Sequence, residues 1–343
     1  MSRHARYRSG MLRDTLKRPL KDLRISVTDR CNLRCGYCMP REVYDDHEYL
    51  QRSEILSYGE ITRLARIAAE SGVSKIRLTG GEPLLRRDVT TLVSQLAKIK
   101  GIDDLALTTN ALLLSKLSDE LVAAGLDRVT VSLDAIDAAH FKSMVDTDVD
   151  VAVVLEAIDN AAEAGLGPIK INTVLRKGWN DEEILPLAEY FRGTPHVLRF
   201  IEFMDVGATN QWTMDEVVTS AEVAETIGAR WDIEPVEAAY SGEVADRWRY
   251  ADGAGEIGFI SSVSQPFCGT CTRLRLSAEG KLYTCLFASD GKDVKAVLRS
   301  GAPDADVAAV IERTWFARED RYSELRGGVP LADPKVEMSY IGG

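Results

Sequence analysis

Apolar and polar residues alternate along residues 23–29, and β-branched positions are frequent there, which predicts a strand. Residues 57–71 show helical spacing instead, opened by Ser57 and Glu60 in the S-x-x-E arrangement of a capping box. The cycle then repeats. A strand at 75–80 leads through the turn Gly80-Gly81-Glu82-Pro83 into a helix ending near 99. A strand at 104–110 leads into a helix ending near 124, and further strands follow at 128–134, 170–175 and 196–204. Six short strands separated by helical stretches predict a parallel sheet with right-handed crossovers. A complete TIM barrel takes eight such units. Six predict an α/β fold of the incomplete, open TIM type, a (β/α)6 barrel with a lateral mouth for a large substrate. Beyond 205 the periodicity breaks. Residues 206–215 read as a loop, 220–228 as a helix, 230–262 as Gly-punctuated strand, and 266–287 as a hairpin, with helices near 292–299 and 303–318. The organisation expected is a basic N-terminal arm (1–22), a partial barrel (23–204), and a C-terminal extension (205–343) that closes the open side.

Five of the six predicted strands end in polar residues: Thr28-Asp29, Thr79-Gly80, Thr109-Asn110, Ser132 with Asp134, and Glu202. One such end is explained by solvent. Five together point to a shared site at the C-terminal rim, where barrels carry their ligands. Charge narrows the partners. The 343 residues hold 42 Lys and Arg against 53 Asp and Glu, a formal −11, a poor balance for binding nucleic acid. A polyanionic substrate would need its cations gathered locally. No apolar run approaches the length of a membrane span, no secretory signal peptide is expected, and the Lys- and Arg-rich first 24 residues read as a flexible arm rather than a transit peptide.

Six cysteines fall into two groups of three: Cys31, Cys35 and Cys38, then Cys268, Cys271 and Cys285. Three thiols within eight residues cannot pair among themselves without one left over. A structural zinc site wants four closed ligands, and His4, His47, His140 and His196 are far from both groups in sequence. Three cysteines with one vacancy suit a four-iron four-sulfur cluster with one iron open. Such clusters persist in a reducing compartment, so a cytoplasmic location is expected.

The C-x3-C-x2-C spacing of Cys31-Asn-Leu-Arg-Cys35-Gly-Tyr-Cys38 resembles the radical S-adenosylmethionine superfamily. Together with KIRLTGGEPLLR, LTTNALLL, VSLDA, RFIEFMDVG, FCGTCTRLRLSAEGKLYTCLF and the terminal Gly342-Gly343, the chain from about residue 14 resembles the GTP 3′,8-cyclase family of molybdenum-cofactor biosynthesis. It departs from that family in lacking a glycine often found in the stretch before Arg24. The resemblance implies two 4Fe-4S clusters, Cys31, Cys35 and Cys38 holding one and Cys268, Cys271 and Cys285 the other, with S-adenosylmethionine on the first. Tyr37, Gly81, Ser132 and Met204 match the family's contacts to S-adenosylmethionine. Arg24, Arg77, Thr108, Lys170, Arg273 and Arg275 match its contacts to GTP. It further implies a lyase in which a 5′-deoxyadenosyl radical takes hydrogen from C3′ of GTP, C3′ attacks C8 of guanine, and one electron and one proton complete (8S)-3′,8-cyclo-7,8-dihydroguanosine 5′-triphosphate. Cyclic pyranopterin monophosphate synthase downstream, an electron donor, a homodimer, and a C-terminal tail reaching into the active site belong to the same expectation; neither nucleic acid nor a membrane does. The competing readings are a different two-cluster radical enzyme acting on a peptide or sugar, and a non-catalytic iron–sulfur or zinc scaffold.

Overall fold

The computed structural model describes residues 11–240, 242–326 and 334–342. Residues 1–10 of the expected basic arm and the terminal Gly343 lie outside the described residues. The strands are β1 (Asp22–Ser26), β2 (Lys75–Thr79), β3 (Asp104–Thr109), β4 (Arg128–Ser132), β5 (Lys170–Leu175), β6 (Val197–Glu202), β7 (Ile233–Val236), β8 (Asp246–Tyr250), β9 (Glu256–Ile260), β10 (Arg273–Leu276), β11 (Lys281–Tyr283) and β12 (Lys292–Asp293). They form one sheet in the order β12-β11-β10-β1-β2-β3-β4-β5-β6-β9-β8-β7.

The six strands expected from the alternating pattern pair in chain order, all parallel. The C-terminal part then adds a parallel strand to each edge, β10 beside β1 and β9 beside β6. Antiparallel hairpin strands continue the sheet outward on both sides. The arc therefore contains eight parallel strands rather than six. The two outermost strands, β12 and β7, are not hydrogen-bonded to one another, and the sheet stays open. The chain between β9 and β10 passes from one side of the sheet to the other, and Cys268 and Cys271 lie on this crossing.

The period-2 pattern separates two environments, because successive strand residues point to opposite faces. One parity is fully buried: Leu23 and Ile25, Ile76 and Leu78, Leu105 and Leu107, Val129 and Val131, Leu198 and Phe200. It forms one hydrophobic cluster with Ile61, Leu64 and Ile67 of the helix Tyr58–Glu70, Leu92 and Leu96 of Val89–Leu96, Leu121 of Leu114–Ala124, and Val154 and Ile158 of Val151–Ala161. The core thus lies between the sheet and its outer helices. The other parity faces the concave side and is polar. The capping box at Ser57 forms as expected: its hydroxyl accepts from Glu60 N at 3.2 Å and Glu60 accepts from Ser57 N at 2.6 Å.

The described N-terminal segment begins at Met11. Lys17 takes φ 62°, a left-handed conformation that favours glycine, in the stretch where the family often carries one. Asp14 Oδ1 accepts from Leu16 N at 3.0 Å and Arg18 N at 2.8 Å, which holds that turn.

Candidate active site

A single cavity of about 570 Å³ occupies the concave face, and every site residue named from the sequence lines it: six cysteines, the four matched to S-adenosylmethionine and the six matched to GTP. Residues from position 24 to 285 are brought together because strand ends and the β9–β10 crossing converge there.

The first cysteine group occupies the loop after β1. Arg34 N donates to Val145 O at 2.9 Å and Gly36 N to Met144 O at 3.3 Å, tying that loop to the helix Ala138–Val145. A Cβ on Gly36 would lie 2.9 Å from the ring of Trp179, so the tryptophan covers the loop only because position 36 has no side chain. The Gly-Gly turn locks onto the same loop. Gly81 N donates to Thr28 O at 2.9 Å and Glu82 N to Arg30 O at 2.7 Å, while a Cβ on Gly81 would sit 2.3 Å from Arg30 O. Any larger residue there would displace the backbone leading into Cys31.

Glu82, in the same turn, is not a free carboxylate. It is fully buried and its oxygens are engaged: Oε1 by Leu84 N (3.0 Å) and the Thr109 hydroxyl (2.7 Å), Oε2 by Asn110 N (2.8 Å). Burial pushes its carboxyl up to about 7 in spite of those three bonds. Glu82 fixes the turn against the end of β3. Tyr37 donates to Asp134 Oδ2 at 2.7 Å, and Asp134 Oδ1 accepts from Val174 N at 2.8 Å, which orients the aromatic ring between the cysteine loop and the ends of β4 and β5.

All six cysteines are free thiols, which excludes a disulfide framework. Burial pushes Cys31 up to about 11, and it raises Cys35 and Cys38 as well, reinforced by repulsion among the three and from Asp134. Three thiolates so placed need a cationic partner. Among the described residues, the one set of His, Cys, Asp and Glu ligand atoms close enough to share a single ion is Asp137, His140 and Glu183. The cysteine sulfurs of either group are spread more widely than a lone zinc ion requires, and both groups fit a polynuclear cluster. In the second group, burial raises Cys285 to about 11. Cys271 is also buried, but Arg273 and Arg318 outweigh that and hold it at about 6.

The cations form a belt. Strand register places Arg275, Arg24 and Arg77 side by side on β10, β1 and β2. Like charges on adjacent strands repel, and burial adds to that. Arg24 is brought down to about 9 by burial, Arg273 and Arg77, and Arg77 to about 9 by burial, Arg128 and Arg199. Burial also depresses Arg275, together with Arg24 and Arg273. Lys170 falls to about 8 through burial and the charges of Arg199, Arg128 and Lys75. A guanidinium keeps its proton regardless, so its depression measures repulsion and lost hydration that a bound polyanion relieves. Arg77 Nη1 donates to the hydroxyls of Thr108 and Thr130, each at 3.0 Å, which fixes its direction without neutralising it. The Asn172 side-chain oxygen and Arg199 Nε are buried without a partner on the same wall.

Lys75, Arg128, Arg199 and Asn172 also line the cavity and were missed from the sequence. The signal was present. Cations recur on the strand parity opposite the apolar one, as in KIRLT, RVTVS and VLRFIE.

The tail enters this space. Ile341 is fully buried, the Tyr44 and Ser339 hydroxyls are 3.3 Å apart, and Gly342 O accepts from Arg275 Nη1.

Comparison with known proteins gives a consistent picture. Residues 25–191 match the Radical SAM superfamily model and residues 196–324 the Molybdenum Cofactor Synthesis C model. The chain is 52% identical over 332 residues to the GTP 3′,8-cyclase of Xanthomonas axonopodis pv. citri, covering 97% of this chain and 99% of that one. It is 50% identical to the protein of that name from Acidothermus cellulolyticus and 49% to that from Staphylococcus aureus, at the same coverage. Among solved structures, Streptococcus suis SuiB bound to S-adenosylmethionine superposes with a TM-score of 0.60 at 17% identity, over 90% of this chain and 68% of that one, a likeness of fold. No described helix is long and apolar enough to cross a membrane.

Proposed function

The chain belongs to the GTP 3′,8-cyclase family, and from that premise we propose how its residues divide the reaction. It is a radical S-adenosylmethionine enzyme with an iron–sulfur cluster, and it converts GTP to (8S)-3′,8-cyclo-7,8-dihydroguanosine 5′-triphosphate in molybdenum-cofactor biosynthesis. The observation that carries the assignment of residues is the single cavity lined by both cysteine triads and the cation belt.

Cys31, Cys35 and Cys38 would hold the cluster that binds S-adenosylmethionine, and Cys268, Cys271 and Cys285 would hold a second one on the same cavity. The chemistry these groups supply when bound is one-electron cleavage of a sulfonium C–S bond, giving a 5′-deoxyadenosyl radical. Tyr37, Gly81, Ser132 and Met204 position S-adenosylmethionine. The ring of Tyr37, held by Asp134, offers a flat face for adenine. Gly81, fixed against Thr28 and Arg30, lines the cavity where the methionyl group would lie. Arg24, Arg77, Lys170, Arg273 and Arg275, with Thr108, bind GTP. Charge-assisted and bidentate bonds suit a triphosphate, and fixed cations orient the ribose toward the radical source without further reorganisation.

The segment 205–343 closes the open side of a (β/α)6 barrel (23–204), with residues 1–22 as an arm. This reading is supported by the β9–β10 crossing and by the loop between β7 and β8. In that loop the Tyr240 ring lies 5.4 Å from Lys75 Nζ, and a Cβ on Gly242 would lie 3.1 Å from Thr270 O. Closure excludes water from the radical. A cytoplasmic homodimer served by an electron donor and followed by cyclic pyranopterin monophosphate synthase completes the proposal.

The test is anaerobic incubation of reconstituted protein with S-adenosylmethionine, dithionite and GTP. Formation of 5′-deoxyadenosine together with the cyclised nucleotide, each dependent on GTP, is expected. Reductive cleavage without a change in GTP would overturn the substrate assignment for this cavity.

A further inference from the structure

A buried ionic group flanks the second cysteine triad, with Arg318 at the cavity wall. Asp14, Arg18 and Arg318 are 6%, 2% and 4% exposed. Arg18 Nε donates to Asp14 Oδ2 at 2.5 Å, and Arg318 Nη1 reaches the same oxygen at 3.4 Å. Both guanidiniums also hold the cysteine loop by its main chain. Arg18 Nη1 donates to Cys268 O at 2.8 Å and Arg318 Nη1 to Cys271 O at 2.7 Å. Arg18 is itself fixed by Asp320 O at 2.7 Å, and its own carbonyl accepts from Trp315 Nε1 at 3.2 Å. The N-terminal segment continues the tie, since Lys21 N and Asp22 N both donate to Thr272 O at 3.1 Å.

The tie leaves donors over, and a buried N–H without an acceptor is costly. Here Arg18 Nη2 and Arg318 Nε are both buried with no hydrogen-bond partner. The Asp320 carboxylate is 3.4 Å from Arg318 Nε yet is not aligned to accept from it. By donating to the Cys271 carbonyl, Arg318 brings its positive charge beside the Cys271 ligand. Donors and positive charge directed at ligand sulfurs stabilise the more reduced, more negative state of a cluster.

We propose that Asp14, Arg18 and Arg318 are positioning residues for the second cysteine group, fixing the Cys268–Cys271 turn for ligation and raising the reduction potential of the cluster held there. This rests on the reading that the second triad binds a cluster. It also gives the segment Asp14 to Asp22 a role in the electronics of the site.

The experiment uses full-length protein with Cys31, Cys35 and Cys38 changed to Ala, so that only the second group reports, carrying either the native Arg318, Arg318→Gln or Arg318→Lys. After anaerobic reconstitution, iron per chain, the rate of iron release to a chelator and the midpoint potential are measured, with circular dichroism as the check on folding. The native-arginine protein is expected to keep about four irons. Arg318→Gln is expected to release iron several-fold faster and to titrate at a more negative potential, and Arg318→Lys to fall between. A general loss of stability would move the unfolding midpoint but not the potential. A folded Arg318→Gln protein matching the parent in both release rate and potential would overturn the proposal. If that variant does not fold, Arg318→Lys decides on the same two readings. A parent with no iron would instead remove the second cluster itself, a separate failure.

Discussion

Lys170 sits in a crowd of positive charge, and its ammonium titrates near 8 rather than at its usual 10.5. In the free protein the charge is present below 8 and lost as pH rises through it. A triphosphate binds the protonated form better, so binding should take up a proton at alkaline pH, and affinity should fall by about tenfold per pH unit above 8. Titration calorimetry of GTP at pH 7 and 9.5 checks this, and Lys170→Arg should flatten the dependence because a guanidinium stays charged. At the other end of the chain Lys17 carries a side chain in a left-handed turn. Lys17→Gly should stabilise the protein by about 1 kcal/mol by relieving that conformation, read as a higher denaturant midpoint. The two residues differ in legibility. Lys170 was found through a family pattern on a strand, while the strain at Lys17 shows only once the backbone angle is known.

At the scale of elements, the strands and helices of the first two hundred residues were legible because each is amphipathic on its own period. Boundaries moved inward: the strand expected over 23–29 ends at Ser26, since Thr28 and Asp29 already belong to the turn that meets the Gly-Gly loop. The addition of β9 and β10 to the two sides of the sheet was not legible. Strand pairing between distant segments leaves no local pattern, and a hairpin such as β10–β11 shows its turn but not its outer partner. The tail is an element whose role was expected from its terminal glycines. Gly342 O on Arg275 gives it an anchor beside the cation belt. Deleting Gly342 and Gly343 should leave iron content and folding near normal and lower product formation severely, by at least tenfold. Product yield compared with cluster content in one preparation checks this, and full turnover would return the tail to a passive terminus.

For the molecule as a whole, two cysteine groups on one cavity predict about eight irons per chain after anaerobic reconstitution. Changing Cys31, Cys35 and Cys38 together to Ala should halve that number and abolish 5′-deoxyadenosine, measured by iron assay and chromatography. A triple variant that still cleaves S-adenosylmethionine reductively would contradict the assignment of the first group. The sheet has a further consequence for how the protein is made. Asp22 at the start of β1 is hydrogen-bonded to Thr272, 250 residues later in the chain. Contacts of such separation slow folding, and until they form, both β1 and β6 present bare edges able to pair with other chains. During synthesis the strands of the first two-thirds emerge well before the segments that cover them. A chain stopped at residue 204 should therefore self-associate rather than fold as a free half-enzyme, which sedimentation of the fragment would reveal. Residues 205–343, about two-fifths of the chain, would by covering both edges guard the sheet against aggregation.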